Sequence, residues 1–106
     1  LSGVTDGLIS AAESASAKSE NYSETIKTLE EKHLEFVKNL LPITEQSSWL
    51  SFVKKNFNDI EDICNGIFVL GEFTPRIKDK ITAYGEFLSS NIIAGSFKVL
   101  YVIARA

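Results

Sequence analysis

The sequence predicts an all-α fold of about four helices, and three observations lead to that prediction. Apolar residues recur at spacings of three and four along most of the chain, which is the period of amphipathic helices. Pro42, Gly71 and Pro75 fall where these segments end or begin, as helix boundaries require. The 106 residues, 44% of them hydrophobic, suffice for one hydrophobic core but not for two. A single domain over residues 1–106 is therefore expected.

The first two helices are expected at about residues 5–17 and 22–41. Thr5 or Asp6 is the predicted N-cap of the first helix, because short polar side chains accept hydrogen bonds from the amides of a helix start. The second helix is expected to end at Leu41, because proline disfavours the helical conformation of the residue before it. Its apolar stripe consists of Ile26, Leu29, His33, Phe36, Val37 and Leu40.

The third and fourth helices are expected at about residues 44–71 and 75–97. Thr74 followed by Pro75 is a strong start signal, since a capping hydroxyl precedes a residue whose fixed φ suits the first helical position. The tail at residues 98–106 is rich in β-branched and aromatic side chains, which predicts a short strand-like segment. The apolar stripes of these two helices are Trp49, Val53, Ile60, Cys64 and Ile67, and then Ile77, Ile81, Tyr84, Leu88 and Ile92.

The composition argues against several functional classes. Eleven basic and 14 acidic residues give a net charge of −3 with no basic cluster, so nucleic acid is a poor partner. The longest uncharged run, Phe87 to Phe97, is too short and too polar to span a membrane. Cys64 is the only cysteine, so no intrachain disulfide can form, and without a signal peptide a cytoplasmic location is expected. The chain contains no Met, which suggests a segment of a longer protein.

Glu86 raises the most specific question about function. On the fourth helix it lies opposite the apolar stripe, just before the sequence becomes apolar all round. A carboxylate in that position is either solvated or paired with a cation, because burying an unpaired charge is costly. The adjacent Gly85 has no side chain, so another backbone or a ligand can approach closely.

The other polar residues have structural interpretations that outweigh functional ones. His33 and Cys64 lie on apolar stripes, where packing explains both of them, with one hydrogen bond for the imidazole. The side chains of Asp59, Glu61 and Asp62 point in different directions around a helix, so a solvated face explains them better than a metal site does.

Three segments together resemble aspartokinase, a member of the amino acid kinase family. They are SGVTDGLI at residues 2–9, DICNGI at residues 62–67 and FTPRIKDKITAYGEFLSSNIIA at residues 73–94. Their order is a Gly-x-Thr turn, a variable helical stretch and then a Gly-Glu-x-x-Ser motif in a long helix. The resemblance covers residues 2 to about 97 and is strongest to the aspartokinase part of bifunctional aspartokinase/homoserine dehydrogenases.

The resemblance implies a parent enzyme with an α/β amino acid kinase fold. That enzyme would transfer the γ-phosphoryl group of ATP to L-aspartate, giving 4-phospho-L-aspartate in lysine, threonine and methionine biosynthesis. It would require ATP and Mg²⁺, and also NADP if it is bifunctional. Thr5 matches the threonine whose turn contacts the substrate carboxylate, and Glu86 matches the glutamate that holds the substrate ammonium. Ser90 is a weaker candidate for substrate binding.

Departures from the family pattern limit what this chain is expected to do alone. The Lys-Phe-Gly-Gly loop, the serine before the Gly-x-Thr turn, the nucleotide-binding half and the regulatory domains have no counterpart. The 106 residues are therefore expected to be an inactive helical fragment of the substrate-binding lobe, with no cofactor or metal of its own. Exposed helix faces predict a homodimer or a helix-swapped oligomer. The alternative is a self-standing helical bundle that binds a partner protein through its third helix.

Overall fold

The structure is a computed structural model that describes the backbone of residues 3–105 and the side chains of residues 3–90. It contains four helices, labelled α1 to α4 in chain order: Val4–Ser16, Asn21–Leu40, Ile43–Leu70 and Pro75–Arg105. No strand occurs in the described part of the chain. The all-α prediction is therefore confirmed, and the first three helices begin and end within one residue of their predicted positions.

The start of α1 differs from the prediction. Its N-cap is Gly3, with a left-handed φ of 85°, rather than Thr5 or Asp6. The Gly3 carbonyl accepts a hydrogen bond from the Gly7 amide at 2.9 Å. A left-handed backbone suits glycine because glycine has no Cβ. Thr5 thus lies inside the first turn, where its side chain contacts α4 instead of capping α1.

The remaining helix boundaries follow the predicted local signals. Helix α2 ends before Leu41, which is extended, with φ −108° and ψ 145°, ahead of Pro42. Gly71 closes α3 with a left-handed φ of 71°. Thr74 Oγ1 accepts a hydrogen bond from the Ile77 amide at 3.2 Å, which confirms the predicted cap of α4.

The described side chains form one core between the four helices. The buried residues differ in part from the predicted stripes, since Tyr22 on α2 and Asn56 on α3 are also buried. Phe57 is fully buried although it was not expected on the α3 stripe, and Leu40 is 49% exposed because it is the last residue of α2. The buried apolar side chains are Val4, Leu8, Ala11, Ala12, Ala15, Tyr22, Ile26, Val37, Leu41, Val53, Phe57, Ile60, Cys64, Ile67, Ile81 and Leu88.

The strand-like tail is the element for which the prediction was wrong. Residues 98–105 continue α4, which extends to Arg105 instead of ending near residue 97. A single strand would leave its backbone N–H and C=O groups without partners, whereas a helix satisfies them internally. The β-propensity of the tail is a weaker preference than this requirement. Ala106 and the side chain of Ile92 lie outside the described residues.

Candidate functional site

Thr5 and Glu86, which the family resemblance assigns to one substrate, meet in the folded chain. They are 81 residues apart in sequence, and the Thr5 hydroxyl donates a hydrogen bond to Glu86 Oε1 at 3.4 Å. A hydrogen bond of this length is weak. Glu86 is exposed and Thr5 is half-buried, so a hydroxyl and a carboxylate share one point on the surface.

Gly85 explains how closely α1 approaches α4 at this point. It is buried, and a Cβ placed on it would lie 2.5 Å from Thr5 Oγ1, 2.9 Å from Thr5 Cα and 3.1 Å from Thr5 Cβ. Ordinary contacts of a Cβ are 3.4–4 Å, so alanine does not fit unless α1 moves. The sequence left open whether Gly85 admits a backbone or a ligand. In the structure the space beside Gly85 is filled by the backbone and side chain of Thr5 on α1.

The Glu86 carboxylate lies beside the N-terminus of α1. The first N–H groups of a helix have no intrahelical partner and carry partial positive charge, which favours a nearby carboxylate. An ionised carboxylate offers about four acceptor positions. Among the described residues, Thr5 alone donates a hydrogen bond to the Glu86 side chain. Glu86 therefore retains most of its capacity for a ligand that is cationic or donates hydrogen bonds.

Ser90, the third predicted residue, takes no part in the Thr5 contact. Its hydroxyl donates to the backbone carbonyl of Glu86 at 2.7 Å, one turn earlier in the same helix. A second, longer contact of 3.5 Å joins the Ser90 hydroxyl to the Phe87 carbonyl. Ser90 is exposed. It would have to break its bond to the backbone of α4 before its hydroxyl could donate to a ligand.

His33 and Cys64 have the structural roles that their positions on apolar stripes indicated. His33 is 2% exposed, and its Nδ1 donates to the Leu29 carbonyl at 2.7 Å. Its Nε2 has no hydrogen-bond partner among the described residues, and burial lowers the pKa of the imidazole. Cys64 is fully buried, and burial raises the pKa of its thiol to about 11. Neither group is available to a substrate.

A groove between α3 and α4 is a surface feature that the sequence did not predict. Its volume is about 400 Å³. The Tyr84 hydroxyl donates to Asp59 Oδ2 at 3.5 Å on its wall, and burial together with the Asp59 charge raises the pKa of Tyr84. No sequence signal marks this groove, because its two walls come from separate helices. Its described lining is Lys55, Asn56, Asp59, Lys80, Ala83, Tyr84 and Phe87, and so includes neither Thr5 nor Glu86.

Lys18 is a further residue whose role was not evident from the sequence. It lies in the turn between α1 and α2. Its Nζ donates to the carbonyl of Phe68 at 2.5 Å and to the carbonyl of Val69 at 2.8 Å. The same ammonium lies 5.6 Å from the centre of the Phe68 ring. The acceptors are about 50 residues away in sequence, which explains why no local pattern predicts the contact.

The described residues hold neither a cluster of metal ligands nor a membrane-spanning helix. No three His, Cys, Asp or Glu side chains in the described part of the chain come together as a metal ion would require. Within residues 3–105, no helix combines the length and the apolar composition needed to cross a bilayer.

Comparison with known proteins gives a distant relationship. The bifunctional aspartokinase/homoserine dehydrogenase 2, chloroplastic, of Zea mays is 22% identical over 98 residues, covering 92% of this chain and 11% of the relative. The bifunctional aspartokinase/homoserine dehydrogenase 1, chloroplastic, of Arabidopsis thaliana is 26% identical over 94 residues, covering 89% of this chain and 10% of the relative. The chain thus spans about a tenth of the length of these curated relatives. No family model matches the chain, and no solved structure matches it significantly.

Proposed function

We propose that this chain is a helical part of the substrate-binding lobe of an aspartokinase. The parent enzyme transfers the γ-phosphoryl group of ATP to the side-chain carboxylate of L-aspartate and forms 4-phospho-L-aspartate. The distant similarity to two bifunctional aspartokinase/homoserine dehydrogenases supports this proposal, as do the two motifs around Thr5 and Glu86. A homoserine dehydrogenase module that uses NADP would belong to the same parent.

The meeting of Thr5 and Glu86 carries the proposal. Two motifs at opposite ends of the chain converge on one surface point, where Gly85 allows the backbones to touch. In the proposed site, the Glu86 carboxylate binds the substrate ammonium with a charge-assisted hydrogen bond. The first turn of α1, with Thr5, receives a substrate carboxylate, because helix N-termini favour anions. Ser90 is a secondary contact whose oxygen can accept a hydrogen bond from the ligand while its hydroxyl donates to α4.

The chemistry of phosphoryl transfer is assigned to the rest of the parent. Such transfer depends on cations that hold the phosphates, and ATP and Mg²⁺ would therefore bind outside the described residues, which offer no cluster of metal ligands. We accordingly propose that the 106-residue chain binds L-aspartate weakly and does not phosphorylate it. A coupled assay that detected aspartate-dependent ADP formation by this chain would contradict that part of the proposal.

The alternative, an interaction module that uses the third helix, has less support. The apolar side of α3 packs in the core and is not open to a partner. Its buried residues are Val53, Phe57, Ile60, Cys64 and Ile67. A partner would therefore have to bind the polar faces or the exposed ends of α3. The homodimer or helix-swapped oligomer remains a prediction, and light scattering at high concentration would detect either one.

Titration of the 106-residue chain with L-aspartate, followed by amide resonances, tests the proposed site. We expect the resonances of Thr5, Gly85 and Glu86 to move at about millimolar ligand, a range suited to a site with few contacts. Glu86→Gln removes the charge and should abolish the response. Glu72→Gln, the same substitution at an exposed position in the turn before α4, is the matched control and should leave it unchanged.

Succinate is the matched ligand control, because it keeps both carboxylates of aspartate and lacks the ammonium. We expect it to cause no shift at Glu86. Equal responses to aspartate and succinate, or an unchanged response in Glu86→Gln, would show that Glu86 does not bind an ammonium group. Shifts confined to the groove lined by Lys55 and Lys80 would place the amino acid elsewhere.

A further inference from the structure

Lys18 occupies a backbone position that glycine would fill with less strain. It has a left-handed φ of 64°. It is the left-handed residue of a Schellman motif at the end of α1, in which the Ser19 amide donates to Ser14 at 2.9 Å and the Lys18 amide to Ala15 at 3.0 Å. A side chain disfavours this conformation because its Cβ crowds the neighbouring carbonyl. The strain points to a role for the lysine side chain itself.

The side chain of Lys18 fastens the end of α1 to the end of α3. Its ammonium donates to the carbonyls of Phe68 and Val69, which belong to the last turn of α3. These carbonyls have no intrahelical partners and carry partial negative charge, so they are favourable acceptors for a cation. The Lys18 Cε would lie 3.3 Å from a Cβ at Gly71, so the lysine stem passes directly over the glycine that closes α3.

The buried face of α1 consists largely of small side chains, so contacts at its two ends contribute to its axial position. Three of its five buried residues are alanines, which interlock little with neighbouring helices. At its start Thr5 lies against Gly85, and at its end Lys18 holds the last turn of α3. Sliding of α1 along its axis is thus opposed by Val4 and Leu8, by Leu29 packed against Gly7, and by these two end contacts.

We propose that Lys18 is a positioning residue for the Thr5 and Glu86 site. By fixing the axial position of α1, it sets the separation between the Thr5 hydroxyl and the Glu86 carboxylate, although it lies at the other end of the helix. The contact at Gly85 is sensitive to such movement, because Thr5 Cα lies only 2.9 Å from where a Cβ would stand. The effect on ligand binding rests on the proposed function, whereas the effect on the position of α1 does not.

Four variants of the 106-residue chain separate this role from simple loss of charge. Lys18→Met keeps the stem and removes the ammonium, and Lys18→Gly removes the side chain together with the backbone strain. Lys18→Arg keeps donors that can reach the same carbonyls and should restore the native behaviour. Lys32→Met, at an exposed position on α2, is the matched control.

The amide resonance of Gly85 reports the position of α1 without any ligand. We expect it to shift in Lys18→Met and Lys18→Gly and to stay native in Lys18→Arg and Lys32→Met, with Ile60 on α3 as an internal reference. Amide exchange of Leu8 and Ala12 should accelerate about tenfold relative to Ile60, as loss of a charge-assisted hydrogen bond implies. A native Gly85 resonance in both disrupting variants would overturn the proposal. If Lys18→Met fails to fold, Lys18→Gly decides the outcome, because its backbone is less strained.

The ligand measurement distinguishes failure of this inference from failure of the proposed function. If the native chain binds L-aspartate, we expect Lys18→Met to weaken binding several-fold and Lys18→Arg to restore it. Unchanged affinity in Lys18→Met would overturn the positioning role. If the native chain binds no aspartate, the proposed function fails, and the Gly85 resonance alone then decides whether Lys18 fixes the position of α1.

Discussion

Replacing Gly85 with alanine would place a methyl group where α1 already lies. The new Cβ would be 2.9 Å from Thr5 Cα, so α1 would have to retreat by about 0.5 Å to reach the 3.4 Å of an ordinary contact. Overpacking of this kind costs about 1–3 kcal/mol. Alanine is favoured over glycine within a helix by about 1 kcal/mol. We therefore expect Gly85→Ala to lower the free energy of unfolding by between about 0 and 2 kcal/mol.

Two other helical glycines provide matched controls for the same substitution. Gly66 is exposed on α3, and a Cβ there would meet nothing within 4 Å, so Gly66→Ala should stabilise the chain by about 1 kcal/mol. A Cβ at Gly7 would lie 3.0 Å from Leu29 Cδ1, the end of a flexible side chain, so Gly7→Ala should fall between the two. Urea denaturation followed by circular dichroism measures all three variants.

The order of the three variants tests the close approach of the helices. We expect the free energies of unfolding of Gly66→Ala and Gly85→Ala to differ by about 1–3 kcal/mol. The slope of this free energy against urea concentration should be the same for both variants. If Gly85→Ala is as stable as Gly66→Ala, Thr5 does not lie against Gly85, and the geometry of the candidate site is wrong. Gly85→Ala should also move Thr5 from Glu86 and weaken any binding of L-aspartate.

Three further predictions concern buried and capping groups. Burial lowers the pKa of His33, so as the pH falls the unfolded chain binds a proton at a higher pH than the folded chain does. The contribution of His33 to the free energy of unfolding is therefore fully present above about pH 6.5 and is lost as the pH decreases. In His33→Leu the free energy of unfolding, measured by urea titration, should depend less on pH between about pH 5 and 7. The Cys64 thiol, with its pKa raised to about 11, should react with a disulfide reagent only after unfolding, and reaction at the same rate in the native chain would contradict its burial. Thr74→Ala should destabilise the chain by about 1 kcal/mol through loss of the α4 cap, and an unchanged urea midpoint would show that the hydroxyl is not a cap.

The sequence predicted those parts of the fold that depend on neighbouring residues. The Thr74 cap, the Gly71 terminus and the end of α2 before Pro42 all rest on interactions within a few residues, and the structure confirms them. The predicted N-cap of α1 was wrong, because the sequence does not distinguish a threonine inside the first turn from a threonine that caps the helix. The correct start is at Gly3, whose left-handed backbone suits glycine.

The sequence could suggest candidate site residues but not the geometry that relates them. Family resemblance pointed to Thr5 and Glu86, and periodicity put Glu86 opposite the apolar stripe of its helix. Neither reveals that the two side chains lie 3.4 Å apart, since that distance depends on how α1 packs against α4. The position of Ser90, bonded to its own helix, likewise follows from local side-chain geometry that the motif does not specify.

The sequence by itself determined four helices, their boundaries to within one residue for the first three, and most of the buried stripes, because helical periodicity and helix-stop residues are local properties. The tertiary structure decided what the glycine beside Glu86 is for, since Gly85 contacts a backbone 80 residues away. It also decided the role of Lys18, whose acceptors lie at the end of another helix. Such contacts between distant residues depend on how the helices pack together, and no pattern within a single helix encodes that packing.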